Sequence, residues 1–365
     1  MIDPLFWKNR RVFLTGHTGF KGSWLLLWLL KLGANVSAAS IDTHQPNDLF
    51  SYVIDSFPPG IKWQHNVIDI TNPLPLKECI IRFNPEVVIH LAAQPLVRLS
   101  YSDPIGTWST NVMGPLHVLD SLRDIDHTCA VVMVTTDKVY ENKEWEFGYR
   151  EVDPLGGVDP YSSSKAAAEI AINSWRSSFC GSKKHQNPHL RISSARAGNV
   201  IGGGDWALDR IVPDSIRSLQ INQPIAVRNP MSTRPWQHVL EPLSGYLLLA
   251  QSLFLDKNIS CGAFNFGPTL DSNRSVKSLV EAILISWPGL WIDNSSPEEV
   301  HEASLLHLQI DKAYHQLRWK PLWDFDLTVE RTVNWYKNVF EGHCPVKCTL
   351  NDIVDYSGEL AHQAP

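Results

Sequence analysis

Residues 11 to 32 leave this chain few choices of architecture. A short β-type run, Arg11 to Thr15 (RVFLT), stops at Gly16, and Gly16-His17-Thr18-Gly19-Phe20-Lys21-Gly22 leads straight into the apolar stretch Ser23 to Leu32. Strand, glycine turn and helix in that order aim backbone N–H groups and a helix N-terminus at one spot, and such a spot binds pyrophosphate. The spacing is G-x-x-G-x-x-G rather than G-x-G-x-x-G, each glycine allowing a positive φ or close approach of a ligand. Glycine turns between strand and helix also arise for packing alone. The place of this one, at the head of a βα repeat, favours the dinucleotide reading, with Gly16, Thr18, Gly19, Phe20, Lys21 and Gly22 as the candidate cradle.

The repeat continues. Asn35 to Ser40 reads as the next strand, which would end on an acidic residue if it read a ribose 2′-hydroxyl. Ser40 holds that place with Asp42 just beyond, so NAD is expected and NADP stays open. Trp63 to Ile70 brings Asp69 and Ile70 to a strand end, where Asp69 either meets the adenine or is an ordinary turn residue. Pro85 to Leu91 (PEVVIHL) is a buried-type strand, followed by Ala92, Ala93 and Gln94, small enough at the alanines for a cofactor to lie against the backbone. Asn111 opens a helical stretch through Leu122 and either caps it or enters the site. Ala130 to Thr135 (AVVMVT) is nearly all apolar, as a central parallel strand covered on both faces should be. Strand and helix patterns alternate to about Ser193, which predicts a doubly wound α/β sheet with ligands at the carboxyl ends of its strands. Gly16, Ala92 and Thr136 stand at such ends.

Asp137 and Lys138 follow that central strand, and Tyr161 and Lys165 come four residues apart on a predicted helix. One turn of helix puts Tyr161 and Lys165 on one face. A lysine beside a phenol favours the phenolate and lowers a reference pKa of about 10 toward neutrality, which makes a general base. Tyr-x-x-x-Lys also occurs by chance in helices. Here no other tyrosine has a lysine four residues later, and the nucleotide loop precedes it in workable order.

At 365 residues the chain has room for two domains. A net charge of −6 gives no general reason to expect nucleic acid or an anionic membrane, though local arginines suit a small anionic ligand. Trp24 to Leu32, broken by Lys31, is too short to span a bilayer and follows a glycine loop rather than a basic segment, so no signal peptide is read and cytoplasm is the expectation. Six scattered cysteines read as free thiols, with no metal site. After Ala195 the texture changes: the glycine-dense Gly198 to Trp206, then Arg210, Arg228, Arg234, Trp236 and His238. We expect residues 1–195 to form the nucleotide domain, 196–343 a second lobe with some elements returning to the first, and 344–365 a tail without a usable pattern. Arginines in such a region are solvated surface or a planar fork for phosphate.

The strings TTDKVYENKEW, DPYSSSKAAAE, AGNVIGGGDW and TRPWQHVLEP, with the glycine loop, resemble the extended short-chain dehydrogenase/reductase family, which works on nucleotide sugars. The resemblance runs from Arg11 to about Phe340. It implies a Rossmann-type domain holding NAD, a smaller mixed α/β C-terminal lobe for the nucleotide sugar, and a homodimer built from nucleotide-domain helices, here those after Asn111 and through Tyr161. It assigns Leu91, Asn111 and Thr135 to the cofactor, and Arg98, Thr136, Asn199, Arg210, Arg234 and Trp236 to the substrate.

Within the family the acid–base pair separates chemistries. An epimerase needs a base at the sugar O4, whereas elimination of water needs a further acid and base. The resemblance therefore implies a 4,6-dehydratase: Tyr161 takes the O4 proton with Thr136 bonded to O4, Lys138 removes the C5 proton, and Asp137 protonates the departing 6-hydroxyl. Related dTDP-glucose dehydratases carry Glu where Lys138 stands, and a lysine acts as a base only when neutral, which burial and Lys165 would promote. Lys138 alternatively just holds Asp137 or a phosphate. Asn199 is otherwise a turn residue, Arg98 a surface ion-pair partner, and His238 a core histidine. For Asp137 and Lys138 to reach one sugar the chain must leave the strand after Thr136, since neighbours on a strand face opposite ways. A dehydratase for another base, a 4-epimerase and a silent NAD-binding protein are the competing readings; these residues do not separate cytosine from thymine.

Overall fold

A computed structural model describes residues 1–41, 47–54, 56, 62–256, 261–295 and 305–362; Asp42 lies outside them. A one-turn helix α1 (Pro4–Trp7) leads to β1 (Arg11–Thr15). Then α2 (Phe20–Lys31), β2 (Asn35–Ser40), α3 (Leu49–Val53), β3 (Trp63–Val67), α4 (Pro73–Phe83) and β4 (Val87–His90) alternate. Two short helices, α5 (Val97–Ser102) and α6 (Pro104–Trp108), a π-helical turn (Ser109–Met113) and α7 (Gly114–Ser121) reach β5 (Cys129–Val134). The long α8 (Pro160–Phe179) returns to β6 (Leu190–Arg196). Next come β7 (Val200–Ile201), α9 (Ile211–Gln220), β8 (Ile225–Val227), β9 (Thr233–Pro235) and β10 (Gln237–His238). Helix α10 (Leu240–Leu255) packs against β4, β5 and β6, and β11 (Ala263–Asn265) pairs with β6. The chain ends with β12 (Asn273–Ser275), α11 (Val276–Ser286), β13 (Trp291–Asp293), α12 (Asp311–Leu317), α13 (Phe325–Phe340) and α14 (Pro345–His362).

Seven strands form one sheet in the order β11-β6-β5-β4-β1-β2-β3, and every pairing within it is parallel. Alternate residues serve opposite faces: Ala130, Val132 and Val134 of β5 face one core, Cys129, Val131 and Met133 the other. The second core is covered by Leu76 and Ile80 of α4, Val118 and Leu119 of α7 and Ile172 of α8. The first is covered by α2 and α10, each buried nearly all round. A helix apolar on every side needs neighbours on every side, and α2 has α3, α10 and α14 beside the sheet.

That answers two features the sequence leaves unexplained. The apolar run Trp24 to Leu30 is core, not a membrane segment, and no described helix is long and apolar enough to cross a membrane. The patternless C-terminal stretch is a helix: Val346, Thr349, Ile353 and Tyr356 of α14 are buried, and Tyr356 stacks edge-on to Trp28 and Trp323.

Candidate active site

β5 ends at Val134, the chain stays extended through Thr136, and a 3₁₀ turn begins at Asp137. The expected bend after Thr136 is there. Thr136 caps the turn with its hydroxyl, which also donates to Asp137 Oδ1 at 3.0 Å. The carboxylate is buried and lies against Gly198, where an added Cβ would fall 1.8 Å from Oδ2, so only glycine leaves room for it. Asn199 Nδ2 reaches the same oxygen at 3.4 Å. Lys138 is exposed. The burial expected to neutralise it is not supplied by the protein chain.

Asp159 caps α8 by accepting from Ser162 N, and Pro160 takes the first helical position, an arrangement that starts the helix just before Tyr161. Tyr161 and Lys165 are both buried on it. The phenol is pushed up to about 12, by burial first, with the Thr136 hydroxyl bond pulling the other way and the Asp137 charge adding to the rise. Lys165 is pushed down to about 8 by burial, with Glu169 opposing. Within the protein chain desolvation is the largest influence on the phenol, and it opposes the phenolate that Lys165 and the nicotinamide charge are expected to favour.

One turn further on, Glu169 ties the site together. Its carboxylate accepts from Thr135 Oγ1 at 2.5 Å, Ser194 Oγ at 2.8 Å and Arg196 at 2.8 Å. Thr135, assigned to the cofactor, thus spends its hydroxyl on Glu169. The sequence signal for Glu169 is its spacing of four from Lys165, but its partners come from β5 and β6.

The glycine loop fits a dinucleotide. Gly16 has φ +75°, and a Cβ on Gly22 would lie 2.0 Å from the Gly16 carbonyl oxygen, so the loop closes against α2 only with glycines. A Cβ on Gly16 would sit 2.6 Å from Ala92 N, which brings the ends of β1 and β4 together with a cleft-facing backbone. Gly19 precedes α2 and no side chain caps that end, leaving N–H donors for a pyrophosphate. Ser40 Oγ lies 2.7 Å from Thr18 Oγ1 at the end of β2. Leu91 N and Ala92 N bond to Thr15, and Ala93 and Gln94 follow half-buried. Asn111 neither caps a helix nor stands free. From the π turn it accepts from Gln94 N at 2.9 Å and donates to Gln94 O and to Ser164 Oγ on α8. Ile70 packs on Gly114, whereas Asp69 is exposed and accepts from Thr71 N and Oγ1, the turn role.

Lys21 contributes a side chain to the other edge of the cleft. It is pushed down to about 8 by burial and then by the Arg210 charge, with Asp137, Lys165 and Asp205 also acting on it. Sequence reading gave it the loop backbone only. In the second lobe Arg210 pairs with Asp205 at 2.7 Å, and its charge acts on Tyr161. Arg234 stands opposite Arg274 in the register of the β9–β12 ribbon and donates from Nη1 to the Thr233 carbonyl at 2.8 Å. Asn199 combines both readings, with φ +48° and a bond to Asp137. Trp236, expected at the substrate, is buried with its indole N–H donated to the Arg274 carbonyl. His238 is core, wedged against Trp24 and Trp323 and held down at about 3 by burial and Arg331. Arg98 pairs with Asp209 at 3.3 Å. The six cysteines are free, and among the described residues no group of three His, Cys, Asp or Glu could hold a metal.

Comparison with known proteins shows a family and a fold. The model of the NAD dependent epimerase/dehydratase family matches residues 12–262, more than half of the chain. The chain is 44% identical to CDP-glucose 4,6-dehydratase of Salmonella typhimurium, over 98% of both proteins. It is 24% identical to a probable dTDP-glucose 4,6-dehydratase of Sinorhizobium fredii, over 89% of this chain and 92% of that one. In fold it is similar to the crystal structure of a dTDP-glucose 4,6-dehydratase from Bacillus anthracis in complex with NAD. The TM-score there is 0.74 at 19% identity, with 92% of this chain and 99% of that one covered.

Proposed function

The chain belongs to the NAD dependent epimerase/dehydratase family, and we propose that within it this protein converts CDP-D-glucose to CDP-4-keto-6-deoxy-D-glucose. The observation that carries the reading is the strand exit, where a buried carboxyl, Asp137, shares Thr136 with the Tyr161 phenol. An epimerase has no task for that carboxyl; departure of a hydroxyl as water does. The name of the Salmonella relative supports the same substrate.

When bound, NAD would supply a hydride acceptor, and later donor, together with a positive charge that favours the phenolate. Tyr161 takes the O4 proton, and Thr136 holds O4 in line. Lys138 removes the C5 proton made acidic by the new 4-ketone. Its side chain is exposed on the turn, on the side the sugar would cover. Asp137 gives its proton to the 6-hydroxyl, which departs as water, and Lys138 returns a proton to C5 once C6 is reduced. The proton left on Tyr161 balances the one Asp137 gave up. Helix α6, the π turn and α8 lie side by side and leave Ile105, Trp108, Met113 and Ile170 exposed; a second copy covers this face in the homodimer we infer. Light scattering at the mass of one chain would reject the dimer.

The test is incubation with CDP-glucose, dTDP-glucose, UDP-glucose and GDP-mannose, followed by the ultraviolet absorbance of a 4-keto-6-deoxy product in alkali. Product from CDP-glucose is expected; product from dTDP-glucose alone rejects the substrate. Lys138→Ala should retain C4 oxidation, visible as reduced cofactor, and slow elimination about 10²–10⁴-fold. Turnover at the unsubstituted rate would remove Lys138 from the role of base.

A further inference from the structure

Beyond Arg210 the cleft carries a charged group that the chemistry above does not use. Asp209, the residue before Arg210, holds φ +63°. One of its carboxylate oxygens lies 3.3 Å from Arg98 Nη1 and 3.1 Å from Arg228 Nη1. Arg228 directly follows the last residue of β8, and its other terminal nitrogen lies 3.5 Å from the Asp209 carbonyl oxygen. The three come from separate places: α5 of the nucleotide domain, the loop before α9, and the end of β8. Their side chains are 59%, 47% and 30% exposed for Arg98, Asp209 and Arg228. Ion pairs that open to water contribute little to stability, so holding the fold together is a poor account of them.

Position and chemistry give a better one. Arg210 lies near enough to Tyr161 for its charge to act on the phenol, and Asp209, the preceding residue of the chain, holds Arg228 at 3.1 Å. A nucleotide sugar laid along these groups presents its hexose to Tyr161, its diphosphate to Arg210, and its base to the Asp209–Arg228 pair. A second phosphate at the pair would meet the Asp209 carboxylate and be repelled. A base edge with neighbouring donor and acceptors meets no such obstacle.

We propose that Arg228 and Asp209 together read the base as cytosine. This rests on the CDP-glucose reading above and deepens it. On cytosine the N4 amino group donates while N3 and O2 accept. The guanidinium fork supplies two parallel N–H groups for N3 and O2, and the carboxylate takes the N4 hydrogen. Arg98 steadies that carboxylate from across the cleft. Thymine and uracil carry a hydrogen on N3 and an acceptor at O4, so each would set donor against donor and acceptor against carboxylate. Discrimination then comes from repulsion as well as attraction.

The experiment measures kcat/KM for CDP-glucose and UDP-glucose with the NAD-loaded enzyme, and CMP and UMP binding by calorimetry, in the unsubstituted protein, Arg228→Met and Asp209→Asn. Methionine keeps the apolar stem without the fork, and asparagine tolerates positive φ. The unsubstituted protein should favour the cytidine nucleotide at least about a hundredfold. Arg228→Met should lose about ten- to a hundredfold on CDP-glucose and CMP, with little change on UDP-glucose. Asp209→Asn, whose amide can donate to O4, should gain on UDP-glucose and UMP while losing on the cytidine pair. If the unsubstituted protein prefers CDP-glucose and both variants keep its ratio in turnover and binding, the base is read elsewhere and the proposal falls alone. If the unsubstituted protein does not turn over CDP-glucose, the assigned substrate falls and takes the proposal with it.

Discussion

Two buried glutamates, one at the catalytic end of the sheet and one under the C-terminal helix, sit in similar dryness and behave in opposite ways. Glu169 on α8 faces Arg196 and two hydroxyls, and its carboxyl is held below the usual range although burial by itself pushes it up. Glu241 on α10 pairs with no cation among the described residues. It accepts the backbone N–H groups of Leu322 and Trp323 and the Tyr356 hydroxyl, and burial raises it to about 7. Burial alone therefore does not set the charge of a carboxyl; the partner does. The first glutamate is a permanent anion that locks Thr135, next to the catalytic turn, against α8. The second is a proton-dependent clasp joining α10, the 322–323 segment and α14.

The strongest way to break this contrast is Glu169→Gln. It leaves Arg196 buried beside an amide and should cost about 3–5 kcal/mol, read from urea unfolding at pH 7. A cost no larger than that of Glu241→Gln would show that the cation does not matter. Next comes pH. Glu241 binds its extra proton only when folded, between its ordinary 4.5 and about 7. Its contribution is whole below the lower value and is lost as pH rises through the upper one, on the order of 3 kcal/mol in all. Glu169 has the opposite sign: its contribution is present above its ordinary value and lost as pH falls through the lowered one. Glu241→Gln should have the smallest effect, about 1–2 kcal/mol at pH 5, because one N–H loses its acceptor. That cost should shrink above pH 7, where the unsubstituted carboxylate is itself penalised. A difference that stays level from pH 5 to 8 would place the Glu241 carboxyl outside the titrating range.

Much of the first domain was legible because its signals are local. The glycines of the β1–α2 turn, the apolar β4 and β5, and the Tyr161–Lys165 spacing on α8 each specify their own conformation through neighbours a few residues away. The bend after Thr136 also followed, because a strand cannot aim adjacent side chains at one ligand. What was misread depends on burial. Lys138 looked buried until the turn left it exposed, and the donation of the Trp236 indole N–H to β12 has no local signal. Helix α14 was invisible because its apolar residues make sense only against Trp28 and Trp323.

The sequence by itself determined the βα repeat, the nucleotide loop, and which residue types were on hand for acid–base chemistry, since those rest on spacing and dihedral preference. Only the tertiary structure decided which charges meet. Arg98, Asp209 and Arg228 lie on three separate elements, Glu169 finds Arg196 on the neighbouring β6, and the phenol of Tyr161 is raised rather than lowered. Electrostatic energy depends on distance and on the water excluded between groups, and neither is written in the order of residues along a chain.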